Sequence, residues 1–292
     1  MQQKNPNLQI MVAVGGANEV FSEAFSKMAK STAARSRFVV NTVNLLNQYS
    51  LNGVDIDWEY PTVNDRDNFE ALLMELKESL SPLGYILSIA AAPDKWRARE
   101  FYNIKKISEV VDFINLMTYD FHGTWNNEVG HHAQFYPHRK DSFYSKEFNC
   151  AASVNYWLSM KAPASKLVLG IPTYGNMFTL LDDRNHKISS DINVNQTKAS
   201  RSNMGFDEYC KLKPQGWKQH FDSDFRVFYS VNKLSWFGFD SSQQIIAKVK
   251  FAKSLNLGGV MFWSIDTDDH DNACRNGKFS LISSAAVEIG RT

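Results

Sequence analysis

The chain has 292 residues, of which 43% are hydrophobic and 22% are charged, and its formal net charge is +1. This is an ordinary globular composition, and a near-neutral chain without a basic stripe gives no indication of nucleic-acid binding. No apolar run approaches the roughly 18 residues that a membrane-spanning helix needs. We therefore expect a globular protein with one large domain or two smaller ones, without a membrane partner.

Strand-like apolar runs recur along the chain, and helix-period segments lie between them. This alternation predicts a parallel sheet. Each strand ends in glycine, proline, an aromatic residue or an acid, and in a (β/α)₈ barrel the carboxyl ends of the strands form the active face. A doubly wound open sheet is the alternative architecture. The predicted strands are residues 8–14, 54–59, 85–91, 113–119, 167–172 and 259–265, and the predicted helices are residues 21–49, 67–80, 151–160 and 241–255.

Residues 176–240 break this rhythm, because the segment is polar at first and then offers only two short antiparallel strand candidates, at 225–230 and 236–240. We interpret this stretch as an inserted small domain. The six predicted parallel strands fall short of the eight that a closed barrel contains.

A row of three acids lies in the second predicted strand, where residues 51–61 read LNGVDIDWEYP. The period of two and the β-branched and aromatic residues between the acids are typical of a strand, in which alternate side chains share a face. Such a row repels itself unless protons, hydrogen bonds or a cation relieve it, and functional sites are where such arrangements cluster. A solvated face of an edge strand is the alternative. The acids are Asp55, Asp57 and Glu59, and the residues that alternate with them are Val54, Ile56 and Trp58.

The three cysteines are Cys150, Cys210 and Cys274, and no pair has the spacing of metal ligands. They allow one disulfide and one leftover thiol. The first residues, MQQKNPNLQIMVAVGG, lack the pattern of a signal peptide. A cytosolic protein would start in this way, and so would a fragment of a secreted one.

Five motifs together resemble glycoside hydrolase family 18, the group of chitinases and chitinase-like proteins. The resemblance covers nearly the whole chain, in order and at the family's spacing. The motifs are the DxDxE signature at 55–59 with Tyr60-Pro61 after it, Val14-Gly15-Gly16 at a strand end, MTYDFHG at 117–123, GIPTYG at 170–175, and GGVMFWSID at 258–266.

For the fold, the resemblance implies a (β/α)₈ TIM barrel that lacks its first two strands at a truncated N-terminus. Residues 1–175 and 241–292 would form the barrel, and residues 176–240 the α+β insertion domain. It also implies a disulfide between Cys210 and Cys274, with Cys150 free. The expected protein is a secreted monomer, whose signal peptide would precede this chain, with no cofactor and no metal.

For the chemistry, the resemblance implies substrate-assisted hydrolysis of chitin or chito-oligosaccharides, in which the acetamide of the substrate replaces an enzyme nucleophile. Glu59 would donate the proton, Asp57 would orient the acetamide, and Asp55 would share a proton with Asp57. Interacting acids of this kind titrate as one coupled unit. Tyr174 would hydrogen-bond the acetamide oxygen.

The resemblance also implies a set of sugar-binding residues. Tyr119 and Asp120 would hold the sugar at the cleaved bond, and Trp263 would form an apolar floor beneath it. Met117 and Met261 would line the pocket, with plain core packing as the alternative. Trp125 would stack on the leaving-group side, with a surface role as the alternative.

Some positions depart from the family pattern, and these bear on activity. Ala17 stands where active chitinases often have tryptophan, Asn176 where arginine is frequent, and Asn52 where the longer signature has aspartate. The expected function is therefore an endo-acting chitinase or related N-acetylglucosaminidase. The alternative is a chitinase-like lectin that binds glycans without cleaving them. Retention of Glu59 favours the enzyme.

Overall fold

A computed structural model describes residues 2–138 and 141–291 of the chain. These residues form two compact units, the first made of residues 2–116 and 154–168, and the second of residues 117–138, 141–153 and 169–291. Within the described residues, no helix is both long enough and apolar enough to cross a bilayer.

The first unit is built on parallel strands that neighbour one another in chain order. They are β1 (Met11–Gly16), β2 (Gly53–Trp58), β3 (Ile86–Ala91) and β4 (Phe113–Leu116), and the start of β5 (Leu167–Pro172) follows β4 in the sheet. The register aligns Val14 with Ile56, Ile56 with Ile89, and Ile89 with Ile114. Because aligned residues of paired strands share a face, this row of aliphatic side chains lies on one face of the sheet.

Five helices accompany these strands. They are α1 (Glu19–Ala29), α2 (Thr32–Tyr49), α3 (Arg66–Leu80), α4 (Lys95–Phe101) and α5 (Ile104–Val110). The prediction of one helix over 21–49 is wrong. Ser31 adopts an extended backbone (φ −108°, ψ 118°), and its hydroxyl accepts a hydrogen bond from the Ala34 N–H, which starts a second helix.

The core of this unit lies where α1 and α3 pack on β2. Trp58 stacks on Phe25 at 5.3 Å between ring centroids and meets Phe69 edge-on at 5.4 Å. Its indole N–H donates to Ser22 Oγ at 3.0 Å, so the one polar atom of this buried ring is satisfied. The apolar face of β2 is therefore covered by helices.

The second unit contains the end of β5, the neighbouring strand β11 (Gly259–Trp263), and a separate antiparallel sheet. The antiparallel order is β7-β6-β10-β9-β8. Its strands are β6 (Tyr174–Thr179), β7 (Asn203–Gly205), β8 (Lys218–Asp222), β9 (Val227–Asn232) and β10 (Ser235–Phe239). The helices are α6 (Cys150–Ser159), which runs from this unit into the first, α7 (Val194–Ala199), α8 (Phe206–Leu212), α9 (Ser242–Ser254) and α10 (Ser280–Ile289).

The sequence of this unit predicts only some of the strands of its antiparallel sheet. Strands β9 and β10 correspond to the two predicted antiparallel strands, whereas β6, β7 and β8 are missed because they are short or carry polar residues. The prediction of an α/β fold with parallel strands and a second antiparallel sheet is confirmed. The division into a barrel and an insertion at 176–240 stays a prediction.

A disulfide joins Cys210 to Cys274 in the core of this unit, as the resemblance implies. Asp269 lies beside these two sulfurs. Because the sulfurs are bonded to each other, they offer no thiolate to a metal. The Asp269 carboxylate instead accepts hydrogen bonds from the N–H groups of Ala273 and Cys274, both at 2.8 Å. Cys150 is a buried free thiol.

Candidate active site

The acid row of β2 lies opposite to the covered face of the strand. Val54, Ile56 and Trp58 are at most 1% exposed beneath the helices, and strand alternation directs Asp55 and Asp57 to the other face. Asp57 is buried, whereas Asp55 and Glu59 are half-buried. Three carboxyl groups are thus gathered in one partly desolvated place.

Asp55 is held by the two strands that follow β2 in the sheet. One of its oxygens, Oδ1, accepts hydrogen bonds from the hydroxyl of Ser88 on β3 and from the amide of Asn115 on β4, at 3.1 Å for the latter. Burial nevertheless raises the pKa of Asp55, and these two hydrogen bonds only partly oppose it. The parallel register, which aligns Asp55 with Ser88, makes this contact possible.

The carboxyl group of Asp57 has a strongly perturbed pKa. Its pKa is raised to about 7, first by burial and then by the neighbouring charges of Glu59 and Asp55. One oxygen of its carboxyl group, Oδ1, is buried and lacks a hydrogen-bond partner among the described residues. The row therefore holds a proton at near-neutral pH.

The end of β1 is shaped to pass close to Asp57. Gly15 has φ +125°, and a Cβ atom at this position would lie 1.9 Å from the Asp57 carbonyl oxygen. Only glycine fits there without displacing the backbone. A Cβ at the next residue, Gly16, would lie 4.0 Å from Asp57 Oδ2. Gly15 therefore allows β1 to pass against the backbone of β2 at Asp57, and Gly16 lies beside the Asp57 carboxyl group.

The Tyr60 hydroxyl is hydrogen-bonded to Glu59 in the first unit. Burial raises the pKa of the Tyr60 hydroxyl well above its usual value, and the charge of Glu59 adds to this. The Tyr60 ring packs against Phe101 at 6.0 Å, and the Arg97 guanidinium lies 5.3 Å from its centroid. The Glu59 carboxyl group therefore lies next to a buried phenol that can donate a hydrogen bond to it.

In the second unit, Asp120 is the centre of a hydrogen-bonded cluster. The Tyr174 hydroxyl donates to its Oδ2 at 2.7 Å, and the Asn176 amide donates to its Oδ1 at 3.2 Å. The His132 ring nitrogen Nδ1 lies 3.3 Å from the same oxygen. Burial raises the pKa of Asp120, but the contacts with His132, Tyr174 and Asn176 outweigh it, and the net shift is downward. This carboxylate is therefore kept ionised.

Rings complete the cluster around Asp120. Tyr174 meets Tyr119 edge-on at 6.2 Å between centroids and packs on His132 at 4.9 Å. The Tyr119 hydroxyl lies 3.9 Å from the sulfur of Met261. Tyr119, Asp120, Tyr174 and Met261, which come from three separate parts of the sequence, are thus brought together.

The family assignment follows from comparison with known proteins. The model of glycosyl hydrolases family 18 matches residues 1–268. The chain belongs to this family. The probable chitinase 10 of Drosophila melanogaster is 34% identical over 96% of this chain, and the chain spans only 13% of that protein's length.

Solved structures of family 18 proteins include both active and inactive members. The group IV chitinase of Ostrinia furnacalis in complex with allosamidin is 33% identical, with a TM-score of 0.91, and covers 100% of this chain and 82% of that one. Human YKL-39, described as a pseudo-chitinase with retained chitooligosaccharide binding, is 29% identical with a TM-score of 0.92 and covers 99% of this chain and 82% of that one. Membership of family 18 therefore does not by itself determine whether a chain is catalytically active.

The remaining expected sugar contacts differ in exposure. Trp263 and Trp125 are 53% and 61% exposed, which leaves ring faces available for stacking. Met117 is 6% exposed, which is compatible with the core-packing interpretation as well as with a pocket wall. The roles of these residues stay predictions.

Two members of the Asp120 cluster were not expected from the sequence. His132 is buried and follows Asp120 by twelve residues, in a loop without periodicity. Asn176 stands where family 18 often has arginine. Its side-chain amide donates both to Asp120 Oδ1 and to the His122 carbonyl oxygen, the latter at 2.7 Å. The alternation of β6 was the one available signal, because it directs Tyr174 and Asn176 to the same face.

Proposed function

We propose that this chain hydrolyses β-1,4-linked N-acetylglucosamine polymers by a substrate-assisted mechanism that retains the anomeric configuration. The observation that carries the proposal is the acid row of β2. It combines Glu59 with a neighbouring Asp57 whose pKa is raised to about 7 by burial and by the charge of Glu59. A proton held between two such carboxyl groups at neutral pH is what acid catalysis of glycoside cleavage requires.

The first step breaks the glycosidic bond. The protonated Glu59 carboxyl gives its proton to the leaving oxygen, and the acetamide oxygen of the substrate attacks the anomeric carbon from the opposite face. A cyclic oxazolinium ion forms. Asp57 orients the acetamide N–H and balances its positive charge, while Asp55, held by Ser88 and Asn115, stabilises the charge state of Asp57.

The second step releases the product. Glu59, now a carboxylate, takes a proton from a water molecule that attacks the anomeric carbon, and the oxazolinium ring opens. The Tyr174 hydroxyl, which donates to Asp120 in the free protein, would turn to the acetamide oxygen when substrate binds. Tyr119 and Asp120 would hold the sugar, and Trp263 and Trp125 would stack on its apolar faces.

A chitinase-like lectin is the second candidate. Ala17 favours it, because an alanine after β1 removes an aromatic stacking platform at the position where active chitinases often have one. The similarity to YKL-39, named as a pseudo-chitinase, also supports it. In this alternative the same residues bind chito-oligosaccharides without turnover.

Replacement of Glu59 by glutamine tests the proposal. We expect Glu59→Gln to abolish release of reducing ends from a soluble chito-oligosaccharide and to leave its binding within a few-fold. Glu78→Gln on the exposed face of α3 is the matched control and should leave turnover unchanged. Normal turnover in Glu59→Gln would refute the role of Glu59, and no turnover in the unmodified chain would favour the lectin.

The proposed function also bears on the location, oligomeric state and domain architecture of the protein. The Cys210–Cys274 disulfide supports an oxidising, extracellular location. We further propose that the chain acts as a monomer on chitin, that its parallel sheet belongs to a (β/α)₈ barrel, and that residues 176–240 form an insertion within it.

A further inference from the structure

A cavity with a volume of about 620 Å³ lies in the second unit, outside the candidate active site. Its walls come from residues 135–138, from the β8–β9 hairpin and from the first turns of α9. None of the residues of the acid row or of the Asp120 cluster lines it. Its volume falls within the roughly 300–1,000 Å³ typical of ligand sites.

Aromatic rings form much of the wall of this cavity. The rings of Tyr136 and Phe221 are 46% and 53% exposed, so their faces are accessible to a ligand. Each packs against a second ring that also lines the cavity. The ring pairs, with the distances between their centroids, are Phe135–Tyr136 at 4.0 Å, His138–Phe225 at 4.0 Å and Phe221–Phe228 at 4.9 Å.

Polar side chains stand beside these rings. Ser223, Asp224, Arg226 and Gln243 all line the cavity. Within residues 2–138 and 141–291, their side chains make no hydrogen bond or ion pair. The turn that carries three of them is fixed, because Asp222 Oδ1 accepts the N–H groups of Asp224 and Phe225 at 3.0 and 3.1 Å. Donors and acceptors are therefore presented to a ligand from a defined backbone.

We propose that this cavity is a second carbohydrate site, which binds a chito-oligosaccharide separately from the acid row. A sugar ring offers apolar C–H faces to aromatic rings and hydroxyl and amide groups to planar polar side chains, and the wall supplies both. The lining includes one acid and one base, Asp224 and Arg226, so it favours an uncharged ligand over an ionic one. The choice of this sugar rests on the proposed function.

Binding measurements in a protein that cannot turn over its ligand test the site. In the Glu59→Gln background, calorimetric titration with chitohexaose should resolve two classes of sites. Phe221→Ala and Tyr136→Ala should each weaken one class by roughly tenfold, the scale expected for loss of one stacking platform, and leave the other class unchanged. Phe143→Ala is the matched control, because Phe143 is 79% exposed and lies outside the lining.

The same ring variants with Glu59 intact separate this inference from the proposed function. Turnover of a short soluble substrate should stay unchanged, whereas retention on insoluble chitin should fall. Gln243→Ala, which removes no ring, provides a third variant whose folding is not at risk. A single class of sites that none of these variants weakens would overturn the second site even in an active hydrolase. If the unmodified chain shows no turnover but still has the class of sites that the ring variants weaken, the proposed function is contradicted and the second site is not.

Discussion

Tyr174 and Asp120 are joined by a hydrogen bond of 2.7 Å between the tyrosine hydroxyl and Oδ2 of the carboxylate. The bond links the start of β6 to the loop that follows residue 119, and it contributes to the lowered pKa of Asp120. Asp120 itself lies in the left-handed region (φ +56°), which aspartate tolerates better than most residues. The carboxylate is thus presented from a fixed turn, with the phenol as one of its donors.

The first prediction concerns this bond. Tyr174→Phe removes the donor to Asp120 and, under the proposed function, the donor to the acetamide oxygen. We expect kcat to fall by about 100-fold, the usual effect of removing one donor that acts in the transition state. Steady-state kinetics on a soluble chito-oligosaccharide measure this.

Tyr209→Phe is the matched control for Tyr174→Phe. Tyr209 is also buried and hydrogen-bonded, to Ser230 at 2.6 Å, but it belongs to the core of the second unit. Removal of the Tyr209 hydroxyl should lower the melting temperature and leave kcat unchanged. Equal kinetic effects in the two variants would mean that Tyr174 acts through stability alone.

The second prediction concerns a buried ion pair. Lys248 and Asp240 are both fully buried and joined by a hydrogen bond, and the Lys248 ammonium also donates to the Ala133 carbonyl at 2.7 Å. Burial lowers the pKa of Lys248, but the charge of Asp240 outweighs this and the net shift is upward. Lys248→Met leaves Asp240 buried and unpaired, and should lower the free energy of unfolding by about 3–5 kcal/mol.

Denaturant unfolding of three variants checks the origin of that loss. The double variant Lys248→Met with Asp240→Leu should recover much of the stability, because no buried charge then remains unpaired. Lys250→Met, on the exposed side of α9, should change stability by no more than about 0.5 kcal/mol. A double variant as unstable as Lys248→Met would show that lost packing, not the unpaired charge, is responsible.

The acid row was predictable from the sequence because it depends on alternation within one strand. The parallel strands were predictable because strand-like runs and helix-period segments follow one another in turn along the chain. The roles of His132 and Asn176 were not, since each depends on where distant segments place a side chain beside Asp120. The break at Ser31 shows a different limit: the apolar period continues from α1 into α2, and only the capping geometry of one serine separates them. The cavity of the second unit was likewise not predictable, because its walls come from three segments that share no sequence motif.

The third prediction concerns Gly15, whose positive φ and contact with the Asp57 carbonyl exclude a side chain. Gly15→Ala should lower the free energy of unfolding by about 3 kcal/mol or more, from backbone strain together with steric overlap. Gly259→Ala in β11 is the matched control, because a Cβ there meets no atom within 4 Å. We expect it to change stability by less than about 1 kcal/mol. Equal losses in thermal unfolding would contradict the close approach of β1 to Asp57.

The last prediction concerns the pH dependence that Asp57 imposes on stability. Its pKa is about 7 in the folded protein against an ordinary value of 3.8. Below 3.8 the group is protonated in both states. Between the two values the unfolded chain loses this proton while the folded protein keeps it, so the contribution of Asp57 to stability declines as pH rises toward 7.

Asp57→Asn removes this titration. The free energy of unfolding of the variant, relative to the unmodified protein, should therefore increase between pH 4 and pH 7 by roughly 1–3 kcal/mol and then level off. Urea unfolding at unit intervals of pH measures this difference. Asp183→Asn, which removes a carboxylate at an exposed position, is the matched control. A flat difference for Asp57→Asn would mean that Asp57 does not hold a proton in the folded protein between pH 4 and pH 7, and would contradict its raised pKa.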